Sequence, residues 1–401
     1  MAEPMDELLA RAVLLREQAM RRLETLVNAE SPSGDAGRID VVNRELEAAY
    51  TAVGARAERV PGADGDHLVC HWPGGPERSG AEHAGSGDGH ILMIGHSDTV
   101  FPAGTTAERP FRLEPDGDTV TGPGVFDMKG SLVEVELAMR LLADTGSRPF
   151  RPVRLVVVND EEIGSPDGRR LVAEHAEGAV AVLGLEAPLP GGALKTGRRG
   201  VARIRIDVEG VSVHAGLDAA LGVSAIDELV DQLTALRAAV PAPPAAELNV
   251  GTVQGGTRAN VVSGHARAEL GLRFADQEAE TAALAAVESL VPIRAGARIS
   301  TTRLSHRPAW ADDPANPLAA ELIRLAGALG LEPGTGTSGG AGDTNHTGAA
   351  GIPTADGLGP EGGGAHSVTE HASVRSLLHR AALLAAYLGG HAAAAADKEN
   401  S

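Results

Sequence analysis

The sequence predicts an α/β protein: a mostly parallel central sheet flanked by helices, with a smaller α/β sandwich inserted into it. Three observations carry this. Apolar-rich runs at 91–94, 153–158 and 180–185 have the length of strands buried on both faces of a parallel sheet. Helix-spaced apolar positions occupy stretches before, between and after those runs. From about 197 to 309 the pattern changes to period-two alternation, as in antiparallel strands with one wet face.

In chain order, Leu8, Leu9, Leu14, Leu15, Leu23, Leu26 and Val27 place a helix over 5–30, which Ser31-Pro32-Ser33-Gly34-Asp35 ends. A second helix fills 36–53, and short strands follow near 55–60 and 66–72. Pro73 to Gly89 reads as an exposed loop. The glycine-rich stretch ending at Gly130 leads into a helix over 128–143, with Asp127 near its start, where an Asp can serve as an N-cap. A helix over 168–176 lies between the second and third apolar runs. In the inserted segment, strands at 198–210 (Val201, Ile204, Ile206, Val208), 247–254, 260–274 and 297–304 alternate with helices at 222–239 and 276–290. Beyond it come a helix at 315–329, a glycine-rich mobile loop at 334–342, a last short strand at 351–355 and a closing helix at 370–389. The Ala-rich tail, 391–401, reads as disordered. The domains are therefore 1–196 with 310–401, and 197–309 between them.

Composition narrows the function. The 401 residues carry 43% apolar and 22% charged side chains, which fits a globular protein of two domains. A formal net charge of −19 disfavours nucleic acid and anionic membrane as partners, and 2% aromatics disfavours a stacking platform. The lone Cys70 excludes an internal disulfide and a multi-thiolate zinc site, and reads as a half-buried strand residue. The N-terminus has no apolar signal core and no run reaches membrane-span length, so a cytoplasmic protein is expected.

The chemistry collects at strand ends, where open α/β sheets bind ligands. The first apolar run ends in Gly95-His96-Ser97-Asp98, the second in Asp160-Glu161-Glu162, and the third at Glu186. Taken singly, each has a bland reading: a packed strand-end His, a solvated acidic turn, a capping Asp. Taken together, His96, Asp127, Glu162, Glu186 and His366 form a set of two imidazoles and three carboxylates. A catalytic zinc normally keeps about three protein ligands and an open position. Five therefore suit two cations sharing a carboxylate, about 3.5–4 Å apart in such sites. Glu161, beside Glu162, faces a different direction, as adjacent residues do, and could act as general base on a metal-bound water.

These pieces resemble the M20 metallopeptidase family, and most closely its carboxypeptidase G2-type branch. The resemblance rests on Gly95-His96-Ser97-Asp98-Thr99-Val100, Gly124-Val125-Phe126-Asp127-Met128-Lys129-Gly130, Asp160-Glu161-Glu162, Leu183-Gly184-Leu185-Glu186-Ala187-Pro188 and Gly364-Ala365-His366-Ser367, in the family's order and spacing. It implies a zinc-peptidase-like catalytic domain interrupted by a lid domain that dimerises. It further implies two Zn2+ per subunit, replaceable by Co2+ or Mn2+. His96 and Glu186 would hold one, Glu162 and His366 the other, with Asp127 bridging, Asp98 orienting His96 and Glu161 as base. In the lid, His214 would stabilise the oxyanion from a partner subunit, and Arg258 and Asn260 would bind the substrate's free carboxylate and backbone. The Gly342-Asp343-Thr344-Asn345 segment departs from the family's Ser-Asp-containing version, which bears on substrate preference.

The expected activity is zinc-dependent hydrolysis of a peptide or N-acyl amide next to a free α-carboxylate, through a hydroxide shared by the cations. Deacylation of N-acyl amino acids is the alternative within the family. A catalytically silent, metal-stabilised binding protein is the alternative outside it, and intact Glu161 argues against that one.

Overall fold

The computed structural model describes residues 5–75 and 89–391, so most of the expected loop at 73–89 and of the tail at 391–401 lies outside the described residues. The chain divides into two compact units. One comprises Met1–Thr196, Asp312–Thr337 and Ala350–Ser401; the other comprises Gly197–Ala311 and Ser338–Ala349.

The first unit is built on a six-stranded mixed sheet. Its central strand, His90–His96, runs parallel to Val153–Val158 on one side and to Ala179–Gly184 on the other, with Thr354–Ala355 parallel beyond the latter. Gly65–Trp72 adds antiparallel to Val153–Val158, and Arg56–Gly62 pairs antiparallel with it at the edge. Burial explains the apolar-rich runs. Ile91 and Met93 enter the larger core with the helices Gly130–Ala143 and Val374–Leu388, while Leu92 and Ile94 pack on the opposite face with Leu171 and Val172 of Gly168–Ala176. Both faces are covered, so the strands are almost wholly apolar, with Arg154 the half-buried exception in Val153–Val158, and each buried apolar side chain contributes roughly 1.5–3 kcal/mol. Cys70 is fully buried rather than half-buried, because its strand is flanked on both sides and covered by the helix Ala36–Ala52; burial pushes its thiol up to about 12.

The predicted helix over 5–30 is two, Met5–Leu14 and Arg16–Asn28, broken at Leu15. The predicted mobile loop at 334–342 contains a strand, Thr335–Ser338. Among the described residues, no helix is long and apolar enough to cross a membrane.

Inside the larger core, Glu134 is fully buried with no hydrogen-bond partner among the described residues for either carboxylate oxygen, and the buried Arg380 guanidinium bonds the Gly192 carbonyl. Burial raises the Glu134 carboxyl well above its usual range, and the Arg380 charge opposes that.

The second unit is a two-layer α/β sandwich. Its four antiparallel strands lie in the order Ala246–Gly255, His265–Phe274, Gly200–Glu209, Arg298–Arg307. The alternation falls on Ala202, Ile204, Ile206 and Val208; Val201, included in the sequence reading, has the other parity. These side chains meet Ala266, Ala268, Leu270 and Leu272 of the neighbouring strand and the helices Ala225–Ala239 and Gln277–Glu288. Residues 338–349, which the sequence assigned to the first domain, pack with this unit instead. Arg307 pairs with Asp343 at 3.0 Å, and Asn345 donates to the carbonyls of Arg199 and Pro308.

Candidate active site

The site forms in the first unit, at the carboxyl ends of its parallel strands. The central strand delivers His96, 1% exposed. The preceding Gly95 lets Met128 approach closely: a Cβ there would stand 3.2 Å from Met128 Cε, and the Met128 sulfur in turn accepts the His96 N–H. Asp127 therefore sits directly over the strand end. It does not cap the helix Gly130–Ala143, whose N-cap is Lys129.

The five predicted ligands converge. His96 Nε2 lies 3.0 Å from Asp127 Oδ1 and 3.8 Å from Glu186 Oε1. His366 Nε2 lies 3.0 Å from Glu162 Oε2 and 3.4 Å from Asp127 Oδ2. Asp127 thus turns one carboxylate oxygen to each imidazole. Among the described residues, His96, Glu161 and Glu186 bring one ligand atom each within 4.8 Å of one another, and so do His96, Asp127 and Glu162. Glu161 accordingly stands on the Glu186 side and Glu162 on the His366 side, as neighbours in the short turn Glu161–Ile163 can.

Asp98 acts differently from a simple partner of the ring. His96 Nδ1 is 2.9 Å from the Asp98 backbone carbonyl and 3.4 Å from its carboxylate. That carboxylate accepts the backbone N–H of both Glu161 and Glu162 at 3.2 Å and the Ser33 hydroxyl at 2.6 Å. It fixes the acidic turn as well as the imidazole. Sequence reasoning missed Ser33; only its place in the breaker Ser31–Asp35 marked it.

The charges show how this donor set would suit cations. Burial works against a charged His96, yet hydrogen bonds and charge from Asp127 and Asp98 carry its pKa well above an ordinary imidazole's. Asp127 is desolvated, but His366 and His96 hold its carboxyl well below the usual range. Burial raises Glu162 to about 7, and the Asp127 hydrogen bond raises His366 to about 9. Clustered carboxylates and imidazoles with shared protons are the donor set that divalent cations of the zinc class take by displacing those protons. Because the ligands must deprotonate, Co2+ affinity is expected to rise by about tenfold or more from pH 6 to pH 8, with proton release. Titration calorimetry in buffers of different ionisation enthalpy measures both; an affinity flat across that range would refute the proton displacement.

The second unit holds the remaining predicted residues. His214 and Asn260 lie on touching segments, with Ala215 N–H donating to Asn260 O at 3.0 Å and His214 bridged to Val261. His214, Arg258 and Asn260 are all exposed. Asp343 and Asn345, in the segment that departs from the family pattern, are buried and bonded within the unit.

Residues 92–389 match Peptidase family M20/M25/M40. Carboxypeptidase G2 of Pseudomonas sp. (strain RS-16) is 29% identical over 381 residues, 92% of this chain and 88% of that protein. Succinyl-diaminopimelate desuccinylase of Sphingopyxis alaskensis is 30% identical over 61% of this chain and 66% of its own length. Aminopeptidase PepT from Bacillus cereus ATCC 10987 shares the fold, with a TM-score of 0.74 at 21% identity, covering 93% of this chain and 98% of that chain.

Proposed function

The chain belongs to peptidase family M20/M25/M40 and is a hydrolase, and from that premise we propose that it cleaves an amide adjacent to a free α-carboxylate with two divalent cations, normally Zn2+. The observation that carries the reading is the position of Asp127, whose Oδ1 faces His96 Nε2 at 3.0 Å and whose Oδ2 faces His366 Nε2 at 3.4 Å. A carboxylate held between two imidazoles is suited to serve two cations at once. His96 and Glu186 would hold one, Glu162 and His366 the other.

Cations in this site supply a Lewis acid for the scissile carbonyl and make water acidic enough to give up a proton near neutral pH. The chain's own groups do the rest. Glu161 accepts the proton of the attacking water and returns it to the amine that leaves as the C–N bond breaks. Asp98 keeps Glu161 aimed, through the N–H bond it accepts from that residue's backbone. From the second unit, Arg258 and Asn260 would bind the substrate carboxylate, for which a planar guanidinium fork is suited, and His214 would steady the developing oxyanion. We infer that the second unit works as a lid and dimerisation domain, with His214 supplied by a second subunit.

Dipeptides, N-acyl amino acids and folate-like acylglutamates are the substrates to test. The desuccinylase relative favours a second reading, deacylation of N-acyl amino acids in place of peptide cleavage. A panel containing each class, beside the same amides with the α-carboxylate esterified, separates the readings. Turnover should require the free carboxylate, and the preferred class decides between peptidase and deacylase. Equal rates on free and esterified substrates would refute the carboxylate requirement.

A further inference from the structure

We propose that Glu370 is a positioning residue of the cation site, locking the loop that carries Asp127 to the loop that carries His366. The proposal rests on the two-cation reading above. Glu370 is 1% exposed and its carboxylate accepts three backbone N–H bonds from a single loop: Gly124 N–H to Oε2 at 2.8 Å, and Phe126 and Asp127 N–H to Oε1, each at 3.0 Å. One of the three donors belongs to Asp127 itself. The acceptor lies four residues beyond His366, on a turn too tight for ordinary residues. Gly364, at φ +74°, has no room for a Cβ, which would stand 2.7 Å from the Thr369 carbonyl group and 2.9 Å from Glu370 N. His366 itself sits at φ +62°, a conformation a non-glycine residue holds only where its surroundings enforce it.

The consequence is geometric. Asp127 and His366 come from segments more than two hundred residues apart, yet their side chains must agree to within about 0.5 Å to serve one site. His366 Nε2 to Asp127 Oδ2 is an interaction that metal binding would replace. The Glu370 bonds are made to backbone and would persist with or without a cation. They hold the two loops in register while the ligands exchange protons for metal. The peptide N–H groups at Gly124, Phe126 and Asp127 are donors only, so the clamp requires an acceptor at both oxygens. Glutamine has the same shape but turns a donor toward donors at one of them.

Apo protein titrated with Co2+ alone, followed by visible absorption and paired with kcat and KM on the best substrate of the panel, tests this. Glu370→Gln should bind Co2+ about 10–100-fold more weakly, the range for loss of a group that orients a ligand. Its d–d spectrum should change, and its kcat should fall with KM nearly constant. Glu370→Asp keeps the charge but shortens the reach, and should lie between; it also serves where the Gln variant does not fold. Tyr50→Phe, which removes a buried hydroxyl bonded to the Leu132 carbonyl, controls for simple destabilisation and should leave the cobalt spectrum unchanged. Wild-type affinity and spectrum in either Glu370 variant would overturn the proposal while leaving the two-cation reading intact. Failure of the wild-type chain to take up Co2+ would overturn both.

Discussion

Glu161→Gln is expected to lower kcat by roughly 10²–10⁴-fold, the contribution of a positioned general base, while cation content stays at the wild-type level. The expectation follows from where the two adjacent glutamates stand. Glu162 faces His366 at 3.0 Å, whereas Glu161 lies with His96 and Glu186 within 4.8 Å. Both are anchored by the same Asp98 carboxylate through their backbone N–H groups, so exchanging the Glu161 side chain leaves the turn in place. Glutamine keeps the size and loses the proton acceptor. Plasma emission spectrometry and steady-state kinetics on one sample decide the matter. Unchanged kcat would remove Glu161 as the base; loss of metal together with activity would make it a ligand.

The second large effect is at Asp127. Its carboxylate is shared by His96 and His366, one oxygen facing each ring, at 3.0 Å and 3.4 Å. Asp127→Ala should therefore disturb both halves of the site at once, reducing bound cation and cutting turnover by more than the 10–100-fold typical of an outer-shell change. Glu186→Ala should be milder, since Glu186 approaches His96 at the longer distance of 3.8 Å. Equal, small losses in the two variants would show that Asp127 is not shared. The comparison needs only metal analysis and kcat/KM for each.

The strand ends were legible in the sequence because burial on both faces leaves no ambiguity. Ile91 to Ile94 fill two cores, one on each side of the sheet, and a polar residue can follow only where the sheet stops. His96, Glu161, Glu162 and Glu186 stand at those stops, and local pattern was enough to mark them. Asp127 and His366 each lie in an irregular glycine-rich stretch with no period to read; they stood out as ligand-type residues, and their division between two cations came only from the family resemblance. Glu370 was invisible for a different reason. Its partners are backbone N–H groups some 240 residues away, and backbone donors leave no mark on sequence.

The misread features have the same origin. The assignment of 338–349 followed chain continuity, but the Arg307–Asp343 pair and the bonds from Asn345 tie it to the second unit. The reading of Gly334–Gly342 as a mobile loop followed glycine content, yet Thr335–Ser338 is a strand. Cys70 was expected to be half-buried, but its strand has neighbours on both sides and it is fully buried. In each case a non-local contact overrode a local preference.

The most direct measurement is cation stoichiometry against activity. Protein stripped with a chelator should be inactive, and stepwise return of Zn2+ should restore turnover with an end point near two equivalents per chain. Full turnover in protein holding less than about a tenth of an equivalent would contradict the claim that these five side chains act through a pair of cations.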